Sequence, residues 1–434
     1  MRRINVCLLA GFLVGVSLHG QDTLRLEDAI AIGLKQNFSI AIAQQDVAIA
    51  TNNYTRGNAG MLPSISLSGS LGKAESSTHQ EFVTGNVVDK TGAASTQYNA
   101  AVDLNWTLFD GGKMFSSYQK LAVYKDMGLQ QLRLEVETAV ASISTQYHWV
   151  AQQELLLRSY EQLLASLQQY AQWMQTVFDA GQIRKSDMLL ATLEVNRQKA
   201  NVLRQREVLE SAKRQFNQLL ARDPLTPFAI PELSTLPGTL PKTYDRSVIL
   251  SNNLRLQWLE SEKRAIALEL AEWKAERYPK LQLSAGYSYN KTDNQAGFLL
   301  FNRNHGWNAQ LGAQWNLFDG NRLRREIANA RIRILQSNIR YTGTKLETEL
   351  QIEEAWAAYR LAIELHRLET ENLGIARQHY DLTMQNYRDG ASLFLEVKEA
   401  QRQQEQAHQS LLSQWYEAKR AEIEFQRLNG ELVR

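Results

Sequence analysis

Acidic side chains at short spacing are the groups in this chain whose types could do chemistry, either as paired acids for proton transfer or as a local concentration of negative charge. Glu396 and Glu399 stand at i and i+3, so on a helix both carboxylates share one face. Lys398 lies between them, and a solvated outer face is the competing explanation. Catalysis fits less well. The histidines after residue 20 (His79, His148, His305, His366, His379 and His408) form no H-E-x-x-H or comparable ligand spacing. Glu353 with Glu354, and Asp22 with Glu27, are acid pairs of the kind that helices produce routinely when 22% of residues are charged. No phosphate-binding glycine loop or nucleophile elbow occurs, so no enzyme, metal site or cofactor is expected. Asp110 and Asp319 are each followed by a glycine, Gly111 and Gly320, the arrangement of a helix N-cap at a sharp strand-to-helix turn.

The elements that must position these groups come in two copies. W-T-L-F-D-G-G at Trp106 to Gly112 recurs as W-N-L-F-D-G-N at Trp315 to Asn321, an offset of 209 residues. F-D-A-G at Phe178 to Gly181 recurs as Y-R-D-G at Tyr387 to Gly390 with the same offset. An ungapped repeat of this length fixes the architecture before any single residue does. The segments joining each pair are equal in length, as rigid helices of defined reach require.

Four short segments alternate with period two. Tyr98, Ala100, Val102, Leu104, Trp106 and Leu108 form one apolar face, and Trp307, Ala309, Leu311, Ala313, Trp315 and Leu317 repeat it. Each has an upstream partner: Ile65, Leu67 and Leu71 after Pro63, and Leu281, Leu283, Ala285, Tyr287 and Tyr289 after Pro279. Strands of about 10 residues with one apolar face and flanking Trp and Tyr match a transmembrane β-barrel; a soluble hairpin is the alternative. Gly72 to Gln97 and Asn290 to Gly306 read as polar linkers. Between the hairpins the pattern is helical. Leu156, Tyr160, Leu163, Leu167, Tyr170, Met174 and Val177 make a coiled-coil seam. Met188, Val195, Val202, Leu209 and Phe216 continue at sevens in a second helix. The roughly 66 residues from Gly112 to Phe178 would extend about 100 Å as a helix. Five of the seven prolines (Pro224, Pro227, Pro231, Pro237 and Pro241) gather between the copies.

These signals predict a signal peptide at 1–20 and a first repeat at 21–223, with strands about 62–72 and 97–109, a long helix 112–178 and a return helix 186–221. A proline-rich linker follows at 224–244. The second repeat, 245–434, has strands about 280–290 and 307–318, a long helix 321–387 and a return helix 395–429. The signal peptide rests on Arg2 and Arg3 before the apolar run Val6 to Leu18, with Gly20 near the cleavage point; a retained anchor helix is the alternative. Arg2 and Arg3 also account for the excess of 48 basic over 46 acidic residues, so a near-neutral mature chain offers no basic surface for nucleic acid. The single cysteine, Cys7, lies in the apolar run, which leaves no disulfide to stabilise the fold.

A sheet edge cannot face lipid unpaired, so a spanning sheet must close. Four strands are too few, two chains would give eight with a filled interior, and three would give twelve with room for a lumen. The intervening residues Asn99, Ala101, Asp103 and Asn105 are small or polar, which favours a trimer enclosing water. A soluble periplasmic coiled-coil scaffold would explain the helices but leaves the leader and the four amphipathic strands unexplained.

The duplication, the opening L-x-x-A at Leu26 to Ala29 followed by Asn37, the two L-F-D-G segments and the two aromatic-x-x-Gly turns together resemble the TolC-like outer-membrane efflux proteins. The resemblance covers the whole chain after the leader. It implies a mostly α fold with a membrane β-barrel: long coiled-coil helices and four transmembrane strands per chain, and a homotrimer with a 12-stranded barrel and a 12-helix tunnel. It further implies the outer membrane of a diderm bacterium, in contact with its lipid, with a long periplasmic extension. The function implied is a passive exit duct of a tripartite efflux or type I secretion system, opened by a periplasmic adaptor (membrane fusion) protein and an inner-membrane RND or ABC-type pump. Gly181 and Gly390 would be the periplasmic tips where the adaptor docks. Asp187 matches an aspartate that latches the closed end, Tyr387 its tyrosine partner, and Ser392 occupies the place of an arginine, which a serine cannot replace as a hydrogen-bonding fork. Asp187 capping the returning helix with Ser186 is the alternative. Glu396 and Glu399 match an acidic constriction, where threefold symmetry would gather six carboxylates and raise one another's pKa.

Overall fold

A computed structural model describes residues 23–231, 243–297 and 299–432. The expected signal peptide, Cys7, Asp22, Pro237 and Pro241 lie outside the described residues. Among the described residues twelve elements follow one another in two similar series. The first is α1 (Leu26–Gln36), α2 (Phe38–Asn53), β1 (Ser64–Glu81), β2 (Val87–Phe109), α3 (Lys113–Asp179) and α4 (Lys185–Leu219). The second is α5 (Arg246–Asn252), α6 (Leu254–Ala275), β3 (Lys280–Asn294), β4 (Phe301–Gln314), α7 (Arg322–Arg388) and α8 (Phe394–Leu428). Both long helices have 67 residues and both return helices 35.

The chain divides into two compact units. One combines residues up to Ile40 with Val136–Tyr244 and Gln351 onward; the other combines Ala41–Glu135 with Asp245–Leu350. In the first, Ile143, Tyr147 and Val150 of α3 pack with Leu209, Phe216 and Leu220 from α4 and its end and with Trp415 of α8. Tyr147 donates from its hydroxyl to the Leu24 carbonyl at 3.1 Å, which ties the segment before α1 to this core. The heptad residues Val195, Val202, Leu209 and Phe216 are all buried. Glutamines bury beside them without loss because each finds a partner: Gln198 donates to Tyr160 O at 3.1 Å and Gln205 to Gln153 O at 3.2 Å. Asn37 separates α1 from α2 and caps the latter, its Oδ1 accepting from Ser39 N at 2.9 Å.

Glu137 is a buried acid without such a partner. It is 3% exposed, and its Oε1 has no hydrogen-bond partner among the described residues. Burial pushes its carboxyl up to about 7, with Arg427 opposing and Glu424 reinforcing the shift. A raised carboxyl pKa means that the folded state holds the proton more tightly than the unfolded state. The destabilisation is therefore absent below pH ~4.5, grows between there and ~7, and is complete above that. Glu137→Gln is expected to raise the thermal midpoint at pH ~8, by at most about 3 kcal/mol of stability, and to leave it unchanged at pH ~4. Equal shifts at both values would show that the carboxyl is not the strained group.

In the second unit the four strands form one antiparallel sheet in the order β1-β2-β3-β4. The register sorts the side chains. Asn105 faces Ser64 and Ser284, Asp103 faces Ser66 and Gly286, and Asn99 faces Ser70 and Asn290. On the opposite face Leu104 aligns with Ile65 and Ala285, Val102 with Leu67 and Tyr287, and Leu311 with Leu283. One face is thus small and polar and the other apolar, with Leu67 80% and Trp307 81% exposed. β1 and β4 each pair with a single neighbour, which leaves two open edges. No described helix is long and apolar enough to cross a membrane.

Strand boundaries differ from the sequence expectation. The stretches read as polar linkers are largely strand: β1 continues to Glu81 and β2 begins at Val87. Backbone pairing there needs no apolar face, and residues that are polar on both sides carry no period-two signal. β4 ends at Gln314 rather than near 318, because its partner β3 begins at Lys280 and Gln314 is the last residue opposite it.

Candidate functional site

The aromatic-x-x-Gly motifs prove to be helix ends. After α3, Gly181 has φ +76 and its N–H reaches Phe178 O at 2.8 Å while Gln182 N reaches Val177 O at 3.1 Å. After α7, Gly390 has φ +77, with Gly390 N to Tyr387 O at 3.1 Å and Ala391 N to Asn386 O at 2.8 Å. Each is a Schellman cap, which demands a left-handed residue at that place. The two turns open into α4 and α8. Asp187 lies in the first turn of α4 and accepts from Ser186 Oγ at 3.3 Å. It is not the N-cap: that residue is Arg184, which makes no side-chain cap bond. Asp187 therefore stabilises α4 through its charge at the positive helix end, a correction to the capping alternative.

Among the described residues no hydrogen bond joins Tyr387 to Asp187. Tyr387 directs its hydroxyl to Met174 Sδ at 3.7 Å, and its ring lies 6.2 Å from Trp173 and 6.0 Å from Phe394. Tyr170 stacks on Phe394 at 5.4 Å and 4°. Burial, then the adjacent Tyr387 hydroxyl and the Asp187 charge, push the Tyr170 hydroxyl far above the usual tyrosine range. An aromatic cluster thus stands beside the proposed latch residues. Ser392 is turned elsewhere, donating to Thr383 O at 3.2 Å.

Glu396 and Glu399 share the first turns of α8 but differ in state. Glu396 accepts from Leu393 N at 3.2 Å and so caps its own helix. Glu399 is held by Arg402 through two bonds, Nε to Oε2 at 2.9 Å and Nη2 to Oε1 at 2.6 Å, and by Gln403 at 3.0 Å. Arg402, with Gln403, holds the Glu399 carboxyl down at about 2. Within one chain the dominant neighbour of Glu399 is thus a guanidinium one turn away, which favours the charged carboxylate. Lys398 is also engaged, 2.5 Å from the buried Glu194, which Arg197 contacts as well. Glu396, Lys398, Glu399 and Arg402 border one groove, closed on its other side by His379 and Thr383 of α7 and Arg197 of α4. Arg402 was legible at i+3 from Glu399; the aromatic cluster was not, since its members come from separate helices.

At the other end of the long helices, the Asp110 carboxylate accepts from Met114 N at 3.0 Å and that of Asp319 from Leu323 N at 3.0 Å. Gly111 and Gly112 have φ +74 and +87, and Gly320 and Asn321 have +68 and +62. Asparagine tolerates this region better than other side-chain-bearing residues, which accounts for Asn321 in place of the second glycine. His148 bonds Ser144 O of its own helix at 2.7 Å, and burial lowers its pKa. No group of three or more His, Cys, Asp or Glu among the described residues could hold a metal ion.

Comparison with known proteins gives one answer. Residues 30–222 and 246–431 match the outer membrane efflux protein family. The chain is 24% identical over 399 residues to nodulation protein T of Rhizobium leguminosarum bv. viciae, covering 89% of this chain and 78% of the relative. Its fold is similar to that of the Campylobacter jejuni CmeC outer membrane channel, with a TM-score of 0.80, 12% identity and coverage of 94% and 85% of the two chains. The open-state MtrE outer membrane channel of Neisseria gonorrhoeae gives 0.76, 18% identity and coverage of 94% and 89%. With both repeats matched, the chain belongs to the outer membrane efflux protein family, the TolC-like channels of the outer membrane.

Proposed function

We propose that three copies of this chain close their sheets into one 12-stranded barrel continued by a 12-helix tunnel, and that the assembly is a passive exit duct for a tripartite efflux or type I secretion system. The observation that carries this reading is the sheet, with one apolar face, one small polar face and two open edges. Edges at membrane depth must pair, and closure with copies of itself satisfies them. Exposed apolar residues at sevens on α7, Ile332, Ile339 and Leu346, then Leu361, Leu368, Ile375 and Leu382, supply a helical seam for the same neighbours. A periplasmic adaptor would dock at the turns carrying Gly181 and Gly390, and an RND or ABC-type inner-membrane pump would supply the energy. The domain plan of two repeats about a proline-rich linker gives each subunit two strand pairs and two helical hairpins. Detergent extraction from the outer-membrane fraction and a heat-sensitive trimer on gels are the expected results; a stable monomer in detergent would overturn the assembly.

In this reading Asp187, Tyr387 and Ser392 belong to the periplasmic gate. Asp187→Ala is expected to lengthen or enlarge channel openings in planar bilayers. Unchanged conductance would leave Asp187 with only its helix-end role.

A further inference from the structure

The second strand-to-helix junction carries charge that the first does not. A cavity of about 460 Å³ lies where α6 ends, β3 begins and β4 passes into α7, and its lining includes Arg277, Tyr278, Lys280, Leu317 and Arg324. The acids in this cavity are already engaged. Glu276 contacts Lys113 at 2.7 Å and Arg322 at 3.6 Å, and Asp319 caps α7 and lies 3.7 Å from Arg322. Among the described residues no ion pair engages Arg277, Lys280 or Arg324, and although Lys280 acts on Glu276 at longer range, four cations (these three and Arg322) line the cavity against two acids. Their placement is built: Trp315 donates from Nε1 to the Arg277 carbonyl at 3.0 Å, which pins the turn after α6 to the end of β4.

Apolar side chains stand beside these cations and open to the outside. Tyr278 is 60%, Trp315 59% and Leu317 78% exposed. Trp315 and Leu317 continue the apolar parity of Trp307 and Leu311, the face turned toward lipid. Lys280 is the first residue of β3, opposite Gln314, the last of β4, so the cluster marks the end of the sheet from which the helices depart. The first repeat, aligned on Pro63 and Pro279, has Met61, Leu62 and Ser64 at the places of Arg277, Tyr278 and Lys280, and the 209-residue offset of the L-F-D-G motifs puts Phe115 at that of Arg324. The same strand-to-helix scaffold is therefore built in the first repeat without these cations.

We infer that this junction is a binding site for the phosphate headgroup of an anionic phospholipid in the periplasmic leaflet of the outer membrane. Cations at the rim of an apolar face complement a charged headgroup above acyl chains, whereas free phosphate would leave Tyr278 and Leu317 uncovered. The site fixes the depth of the second strand pair in the membrane, as interfacial cationic and aromatic anchors do.

The test uses the full-length protein, delipidated in detergent and titrated with phosphatidylglycerol or phosphatidylcholine of identical chains, with binding read by native mass spectrometry. Wild-type protein is expected to prefer phosphatidylglycerol. The triple variant Arg277→Gln, Lys280→Gln, Arg324→Gln should bind it about a hundredfold more weakly, and Arg324→Gln alone about fivefold, which keeps the question open to measurement if the triple variant does not assemble. Arg331→Gln, an exposed change further along α7, should have no effect. Equal binding of both lipids, an equal loss in Arg331→Gln, or full displacement by inorganic phosphate would overturn the site.

Discussion

Gly111→Ala is expected to disrupt the outer-membrane protein far more than Gly320→Ala, although the two glycines are equivalent in the repeat. Both have positive φ, +74 and +68, so an added Cβ costs about 1–2 kcal/mol in either place. Only Gly111 also meets a wall: its Cβ would lie 2.1 Å from the Ala275 carbonyl oxygen and 2.9 Å from Tyr278 Cβ. The oxygen is backbone at the end of α6, where Glu276 is tied to Lys113 at 2.7 Å, so no flexible group can yield. Gly320 has nothing within 4 Å of the same position. About 3 kcal/mol or more is expected for Gly111→Ala and about 1 kcal/mol for Gly320→Ala. Thermal loss of helical circular dichroism, with the yield of assembled protein, measures the difference. Equal effects would mean that the close approach to α6 does not constrain the junction.

Removing Arg402 should shift ion selectivity toward cations, and removing the acid it holds should shift it the other way. If Glu396 and Glu399 formed an unmasked acidic constriction, neutralising both would abolish cation preference. In the folded chain Arg402 forks onto Glu399, at 2.6 and 2.9 Å, and Glu396 is committed to its helix cap. Each subunit thus brings nearly balanced charge to this turn of α8. Arg402→Gln frees one carboxylate per subunit and is expected to raise cation over anion permeability severalfold, seen as a shifted reversal potential in asymmetric salt. Glu399→Gln leaves Arg402 unpaired and should shift the potential the other way. The two outcomes separate two questions. If Glu399→Gln acts and Arg402→Gln does not, the masking is wrong; if neither acts, this face of α8 does not line the narrow part of the duct.

The sequence was most legible where a spacing has one structural meaning. The equal offset of two motif pairs required helices of equal length, and they have 67 and 67 residues. Period-two alternation assigned the faces of the sheet, and the register brings the small polar residues Ser66, Asp103 and Gly286 into one row. It was least legible where a polar segment extends a strand, as in Gly72 to Glu81, because backbone hydrogen bonds leave no trace in side-chain pattern.

By itself the sequence determined the duplication, the order of strand pair and helical hairpin, and the glycine turns that end α3 and α7, since each follows from local periodicity or from a φ that few residues tolerate. Tertiary structure alone decided which side chains meet. Tyr387 lies against Met174 and the stacked Tyr170 and Phe394, and a Cβ at Gly111 would strike the Ala275 carbonyl where one at Gly320 would meet nothing. Spacing along a helix fixes the face a residue presents, while the partner on that face depends on which distant helix packs there and at what height.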